Sequence, residues 1–333
     1  MKKILPYKEF HSTRQASYMC LDKGQGDLVK NFNEEVLRGD VRLEYVPCLC
    51  GSEEFELVAS VERHLMLQKT VLCRKCGLMQ SNPRMTPGEY ARFYSSDFYR
   101  RCYDSDNYLS RYEQKYTNRT GQHIFDEISK VKKIGPEVSV LECAAGGGWN
   151  LIPFLEKGAG VAGIDHSPSL VSLGREHGID MSQGDVERIK GDHDVIIINH
   201  ALEHFLDPVD SLKKIILHLK TGGLLYIAVP NIMNFCMGQL QNAHTYYFDP
   251  ETLNHYCSLA GLRRLTHGPA QTIHMFSIFE ISAGSCDGQD LANHSEEVSS
   301  YLRNMMIKHY TKKFLSRFHF DKIASKVYHS VFS

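Results

Sequence analysis

Three sets of side chains in this chain of 333 residues are of types that bind or react. Carboxylates stand at Glu142, Asp165 and Asp185, each closing or following a short apolar run. Cysteines form two close pairs, Cys48-Leu49-Cys50-Gly51 and Cys73-Arg74-Lys75-Cys76-Gly77. Histidines occur at His200 and His204, just past an apolar run, and at His244 in an aromatic loop. A carboxylate at a strand's carboxyl end is well placed to accept from vicinal hydroxyls. Four thiolates suit a tetrahedral zinc ion, and the glycine closing each pair lets amides turn toward the sulfurs. A neutral imidazole accepts a proton at near-neutral pH.

The elements that must position these groups are readable around residues 138–165. Val138-Ser139-Val140-Leu141-Glu142 reads as a short buried strand, Gly146-Gly147-Gly148 as a tight turn into a helix, and Val161-Ala162-Gly163-Ile164-Asp165 as a second strand. That is a nucleotide-binding βαβ unit. A dinucleotide fingerprint needs a small residue three positions after Gly148, where Leu151 stands, so NAD is disfavoured. An acid, spaced glycines and a second acid suit S-adenosylmethionine (SAM), which has no phosphates to cradle.

On those residues, 138–282 resembles a class I SAM-dependent methyltransferase, whose first motif is an acid followed by Gly-x-Gly-x-Gly. Ala144 replaces the first glycine, which requires that its φ stay negative. The resemblance implies an α/β fold with a seven-stranded Rossmann-like sheet and an antiparallel last hairpin. It implies a SAM site in which Glu142, Ala144, Gly146 and Gly148 form the loop and Asp165 takes the ribose. Asp185 would face the adenine, and His166, Val186 and Asn199 would complete the pocket.

Further strands are expected before Gly184, at His193–Asn199, at Leu224–Val229 and at Ile273–Ile281, with helices at Leu212–Leu219 and Glu251–Ala260. The run Ala201-Leu202-Glu203-His204 is common in methyltransferases resembling ubiquinone-biosynthetic and sugar-modifying enzymes. In sugar methyltransferases a histidine in the loop of His244 faces substrate, and their amino-terminal lobe also carries a zinc site. Deoxysugar C-methyltransferases have Tyr-x-Glu-His there, whereas this chain has Gln241-Asn242-Ala243-His244. Loss of the Tyr and Glu favours methylation of a hydroxyl, which needs less apparatus than carbon. His244 is the first candidate for the base, followed by His200 and His204.

The expected organisation is an arm at 1–44 with a short helix near Asp27–Leu37, then a zinc-ribbon-like lobe and aromatic linker at 45–106. A methyltransferase domain follows at 107–285, entered through a helix over 107–133, and a basic helical tail at 286–333. The first pair is C-x-C, unlike the usual C-x-x-C, and a metal-free ribbon with buried thiols is the alternative. Residues 301–333 hold seven Lys or Arg against one Asp, with Phe314, Phe318, Ile323, Val327 and Val331 spaced for one helix face. Such a helix suits an anionic membrane surface, docking on its own domain, or a partner.

Hydrophobic content of 42%, charged content of 23% and a net charge of -1 are those of an ordinary soluble domain. They give no general pull toward nucleic acid. No apolar run spans a membrane and no signal-peptide core follows Met1, so the cytoplasm is expected. The acceptor indicated is a small carbohydrate, a sugar hydroxyl of a nucleotide sugar or a surface glycan. Other readings are a zinc-ribbon ribosomal RNA base methyltransferase, opposed by Glu53, Glu54, Glu56 and Glu62 in the lobe, and a non-catalytic scaffold.

Overall fold

A computed structural model describes residues 2–15, 17–95, 97–103, 108–270, 273–284 and 290–317. Its strands in chain order are β1 (Leu43–Glu44), β2 (Phe55–Val61), β3 (Leu67–Cys73), β4 (Met79–Ser81), β5 (Arg84–Met85) and β6 (Ser139–Cys143). They continue with β7 (Gly160–Asp165), β8 (Asp180–Gln183), β9 (His193–Asn199), β10 (Leu219–Pro230), β11 (Tyr246–Tyr247), β12 (Leu262–Ala270) and β13 (His274–Ile281).

Seven of these make the main sheet, in the order β12-β13-β10-β9-β6-β7-β8. The run from β10 to β8 is parallel, while β13 is antiparallel to both β10 and β12. The mixed α/β sheet with an antiparallel last hairpin is therefore as expected. Its apolar strands are buried on both faces: Leu141, Ile196, Ile198, Leu225 and Ile227 fill one side, and Val140, Val195, Ile197, Leu224 and Tyr226 the other. Alternate residues go to opposite faces, so a continuous apolar run is what two covered faces require.

Strand β6 has β7 on one side and β9 on the other, so the chain reverses its direction of winding between β6 and β9. In parallel sheets the crevice beyond the carboxyl ends at such a reversal is where ligands bind. Glu142 and Asn199 lie at those ends.

Several boundaries differ from the sequence expectation. The helix over 107–133 is two, Tyr108–Thr117 and Gln122–Ser129, because Arg119 adopts φ +50 between them. The aromatic stretch after Pro83 is helical at Pro87–Ser95 and Asp97–Tyr103, with its rings packed on one another. Gly222 and Gly223 lie inside β10, with a register shift between Leu219 and Leu224, where a helix stop was expected. The amino-terminal helix runs over Lys23–Arg38, capped by Asp22, whose carboxylate accepts from the Gln25 amide at 2.8 Å.

A second sheet, β11-β4-β3-β2, belongs to the cysteine-bearing lobe, but its edge strand β11 comes from the loop after β10. Against it pack Ile4, Leu5 and Phe10 from the arm and Val298, Leu302 and Met306 from the helix His294–Arg317. Phe318, Ile323, Val327 and Val331 lie outside the described residues, as do the side chains of 308–317, Phe314 included. Among the described residues no helix is long and apolar enough to cross a membrane.

Candidate functional site

The turn after β6 is held by the acid at the end of β7. Asp165 accepts from the Gly146 amide through Oδ2 and from the Ser167 amide through Oδ1, both at 2.8 Å. The Ala145 amide donates to the Ile164 carbonyl at 2.9 Å. These anchors bend the chain sharply, and Ala144, Gly146 and Gly148 have φ of +53, +58 and +77. The negative φ expected of Ala144 is therefore not found: the anchored loop imposes a left-handed turn on this exposed residue, which carries a Cβ. A Cβ on Gly146 would sit 2.5 Å from the Trp149 ring, so that position also excludes a side chain.

Glu142 is 1% exposed. Its Oε1 accepts from the Asn150 amide at 2.7 Å, while Oε2 has no partner. Burial, with the Asp165 carboxylate adding to it, pushes this carboxyl up to about 8. An orphaned oxygen on a buried carboxyl fits a cationic ligand group, and the neighbouring Asp165, still half-buried, retains lone pairs for hydroxyl donors. The donor set thus fits the amino and ribose ends of SAM.

The other cofactor candidates are more open. Asp185 is exposed and its Oδ1 caps a turn of helix by accepting from the Glu187 amide at 3.1 Å. His166 is exposed, and Val186 is half-buried. Asn199 is half-buried at the end of β9.

Beyond β9 the histidines gather. His200 has φ +54, its amide donates to the Ala228 carbonyl at 2.9 Å, and its side chain is 35% exposed. Its Nδ1 lies 3.8 Å from Oε1 of Glu203, which is almost wholly buried. Burial alone would raise Glu203, but the imidazoles of His200, His204 and His244 around it bring it well below the usual carboxylate range. His244 is 3% exposed, its Nδ1 has no partner, and burial lowers it to about 3. The His204 ring is 4.9 Å from that of His244. Sequence reasoning quoted Glu203 without giving it a role, and missed His274, whose ring is 4.2 Å from that of His200. An acid inside an otherwise apolar run was the available signal for Glu203.

The four cysteine thiols are free and converge. Cys48 Sγ lies 3.5 Å from Cys76 Sγ, and Cys50 Sγ 3.6 Å from Cys73 Sγ. A tetrahedral zinc with Zn–S of about 2.3 Å spaces its sulfurs by about 3.8 Å, so this donor set fits one ion. The C-x-C pair reaches inward through a tight turn: Gly51 at φ +79 donates to the Cys48 carbonyl at 2.7 Å. Tyr256, on the helix Pro250–Leu259 of the large domain, places its hydroxyl 3.1 Å from Cys76 Sγ.

A family model described as a methyltransferase domain matches residues 109–267, just under half of the chain. No curated protein gives a significant match. Among solved structures, a chain of the complex between the Haloferax volcanii Trm112 methyltransferase activator and a methyltransferase is 18% identical. It covers 52% of this chain and 94% of its own, with a TM-score of 0.45. A SAM-dependent methyltransferase from Listeria monocytogenes is 16% identical over 49% of this chain and 98% of its own, with a TM-score of 0.41. The glycopeptide N-methyltransferase MtfA, complexed with SAM, is 12% identical over 49% and 94%, with a TM-score of 0.41. Residues 109–267 are thus similar to a methyltransferase domain.

Proposed function

We propose that this enzyme methylates a hydroxyl of a small carbohydrate-like acceptor, and that its amino-terminal lobe is folded around one zinc ion. The observation that carries the methyl-transfer site is the pairing of Glu142 and Asp165 at the sheet's reversal point, where the neighbouring strand β9 leads into the histidine cluster. Bound there, SAM supplies a methyl already activated by a positively charged sulfur. Glu142 would hold its ammonium end and Asp165 its ribose, with Gly146 and Gly148 letting the backbone approach. Asp185, Val186, His166 and Asn199 would border the adenosine.

The acceptor reading rests on a cavity of about 330 Å³ between the lobe and the amino-terminal helix, with Tyr90 at its edge. Gln68, Ser81 and Asn242 line it beside Phe32, Tyr45 and Tyr90, a mixture of amides, hydroxyl and rings suited to a hydroxylated ligand. The Gln68 Oε1 is buried without a partner. Ser81 donates through Oγ to the His244 carbonyl at 2.7 Å, so one cavity wall adjoins the histidine loop.

Transfer needs an aligned hydroxyl, a dry site and a group that takes its proton as oxygen attacks the methyl. Burial makes His244 a weak base, whereas His200 is a third exposed with the Glu203 carboxylate close behind it. His200 is therefore the better proton acceptor, and His244 and His204 shape the pocket. Orientation supplies much of the rate, so His200→Ala should retain residual turnover.

Asp165→Ala should leave the fold intact by circular dichroism and weaken SAM binding at least about tenfold in calorimetry. Unchanged affinity would remove the ribose assignment. A screen of nucleotide sugars with methyl-labelled SAM tests the acceptor class: label found only in nucleic acid would refute it.

A further inference from the structure

We propose that Glu203, His204 and His244 form a second metal site, one that takes a divalent first-row transition ion. One ligand atom of each lies within 4.8 Å of the others. Bonds of about 2.1 Å in a trigonal or tetrahedral site space three ligand atoms about 3.5 Å apart, so closing on an ion requires the side chains to draw together by up to about 1.3 Å.

Two of the three side chains are buried with unspent ligand atoms. Glu203, 2% exposed, has no partner for Oε2, and His244, 3% exposed, has none for Nδ1. A buried polar atom without a partner is costly, and an ion held by these two atoms would resolve both at once. His204 is already oriented as a metal-bound histidine usually is. Its Nδ1 lies 2.9 Å from the Ala243 carbonyl and 3.0 Å from the Tyr94 hydroxyl, and donation to the carbonyl leaves the Nε2 lone pair free.

The ligands are also fixed by their backbones. The Thr245 amide donates to the Glu203 carbonyl at 2.8 Å, and Thr245 Oγ1 donates to the carbonyls of Glu203 at 2.9 Å and Phe205 at 2.8 Å. Together with the His204–Ala243 bond, these tie residues 243–245 to 203–205 on both sides of the ligands. Such preorganisation is unnecessary for three unrelated core side chains.

Two imidazoles and one carboxylate favour Mn, Fe, Co, Ni or Zn over the all-oxygen sites of Mg and Ca. Three protein ligands leave coordination positions open, next to His200, for the oxygens of a bound acceptor. Ion binding itself does not depend on the methyl-transfer reading, since it needs neither SAM nor acceptor.

The test uses the full chain, zinc-loaded at its four cysteines, titrated with Mn²⁺, which avoids thiolates, and separately with additional Zn²⁺. One further ion per chain is expected. Glu203→Gln and His204→Ala should weaken that binding by about 100-fold while the zinc held by the four cysteines stays unchanged. The site is refuted if neither ion binds the wild type below about 1 mM, or if both variants bind as the wild type does. Should Glu203→Gln fail to fold, the half-buried His204 gives the same discrimination.

Discussion

At the level of single residues, Glu142 and Asp165, the acids proposed to hold SAM, stand out in sequence because each falls at the end of an apolar strand. The conformation of Ala144 was not, since a left-handed φ is set by anchors on the distant Asp165. Ala144→Gly should stabilise the protein by about 0.5–1 kcal/mol in urea unfolding, relief of the Cβ strain exceeding the added entropy of the unfolded chain. Glu142 carries a larger effect of opposite kind. Its carboxyl is raised to about 8 in the folded state by burial. A raised acid contributes stability that is fully present below the unfolded value of 4.5 and is lost as pH rises through about 8. Glu142→Gln keeps the acceptor that Asn150 uses and removes the ionising group. It should unfold like wild type at pH 5, gain about 2–4 kcal/mol at pH 9, and bind SAM far more weakly. Equal stability of the two proteins at pH 9 would show that Glu142 is not the strained group.

Among the elements, the parallel strands were clear in sequence because both sheet faces are covered and their residues are continuously apolar. Strand β11 was not, because two tyrosines pairing with Met79 and Gln80 leave no local periodicity. The aromatic helices after Pro87 also hid, since their rings face each other and mimic a loop's composition. The cysteine lobe has little core of its own, and a structural zinc contributes roughly 10 kcal/mol or more to such folds. Purified protein should therefore contain about one zinc that a strong chelator removes only with loss of lobe structure. Because Tyr256 lies 3.1 Å from Cys76 Sγ, Tyr256 fluorescence and the helix Pro250–Leu259 should respond as well. Retention of the native circular dichroism after complete metal removal would contradict the zinc-folded lobe.

For the molecule as a whole, the contacts joining lobe, domain and carboxy-terminal helix are the least legible, because they pair residues far apart in sequence. Ser81 and His244 are separated by 163 positions, and Cys76 and Tyr256 by 180. The helix from His294 docks at such a seam. Its described side chains enter the lobe core through Val298, Leu302 and Met306, and Arg303 lies 3.7 Å from Glu56. At its start His294 Nε2 lies 3.0 Å from Oδ2 of Asp249, which is 1% exposed. Asp249 Oδ1 meanwhile caps the helix Pro250–Leu259, accepting from the amides of Glu251 at 2.8 Å and Thr252 at 3.0 Å. Gly77, beside the second cysteine pair, closes the seam: a Cβ there would sit 2.9 Å from the His294 ring. The hydrogen bond to Asp249 raises His294 above its ordinary value of 6.5. A raised histidine contributes stability that is complete below 6.5 and is lost as pH climbs through the folded value. His294→Ala should accordingly cost about 1–3 kcal/mol at pH 6, and less at pH 9, since the charged pair weakens as pH climbs through the folded value. Urea unfolding of both proteins at the two values measures it. A cost that grows with pH would mean that packing against Gly77, and not the charge on His294, holds the helix to the seam.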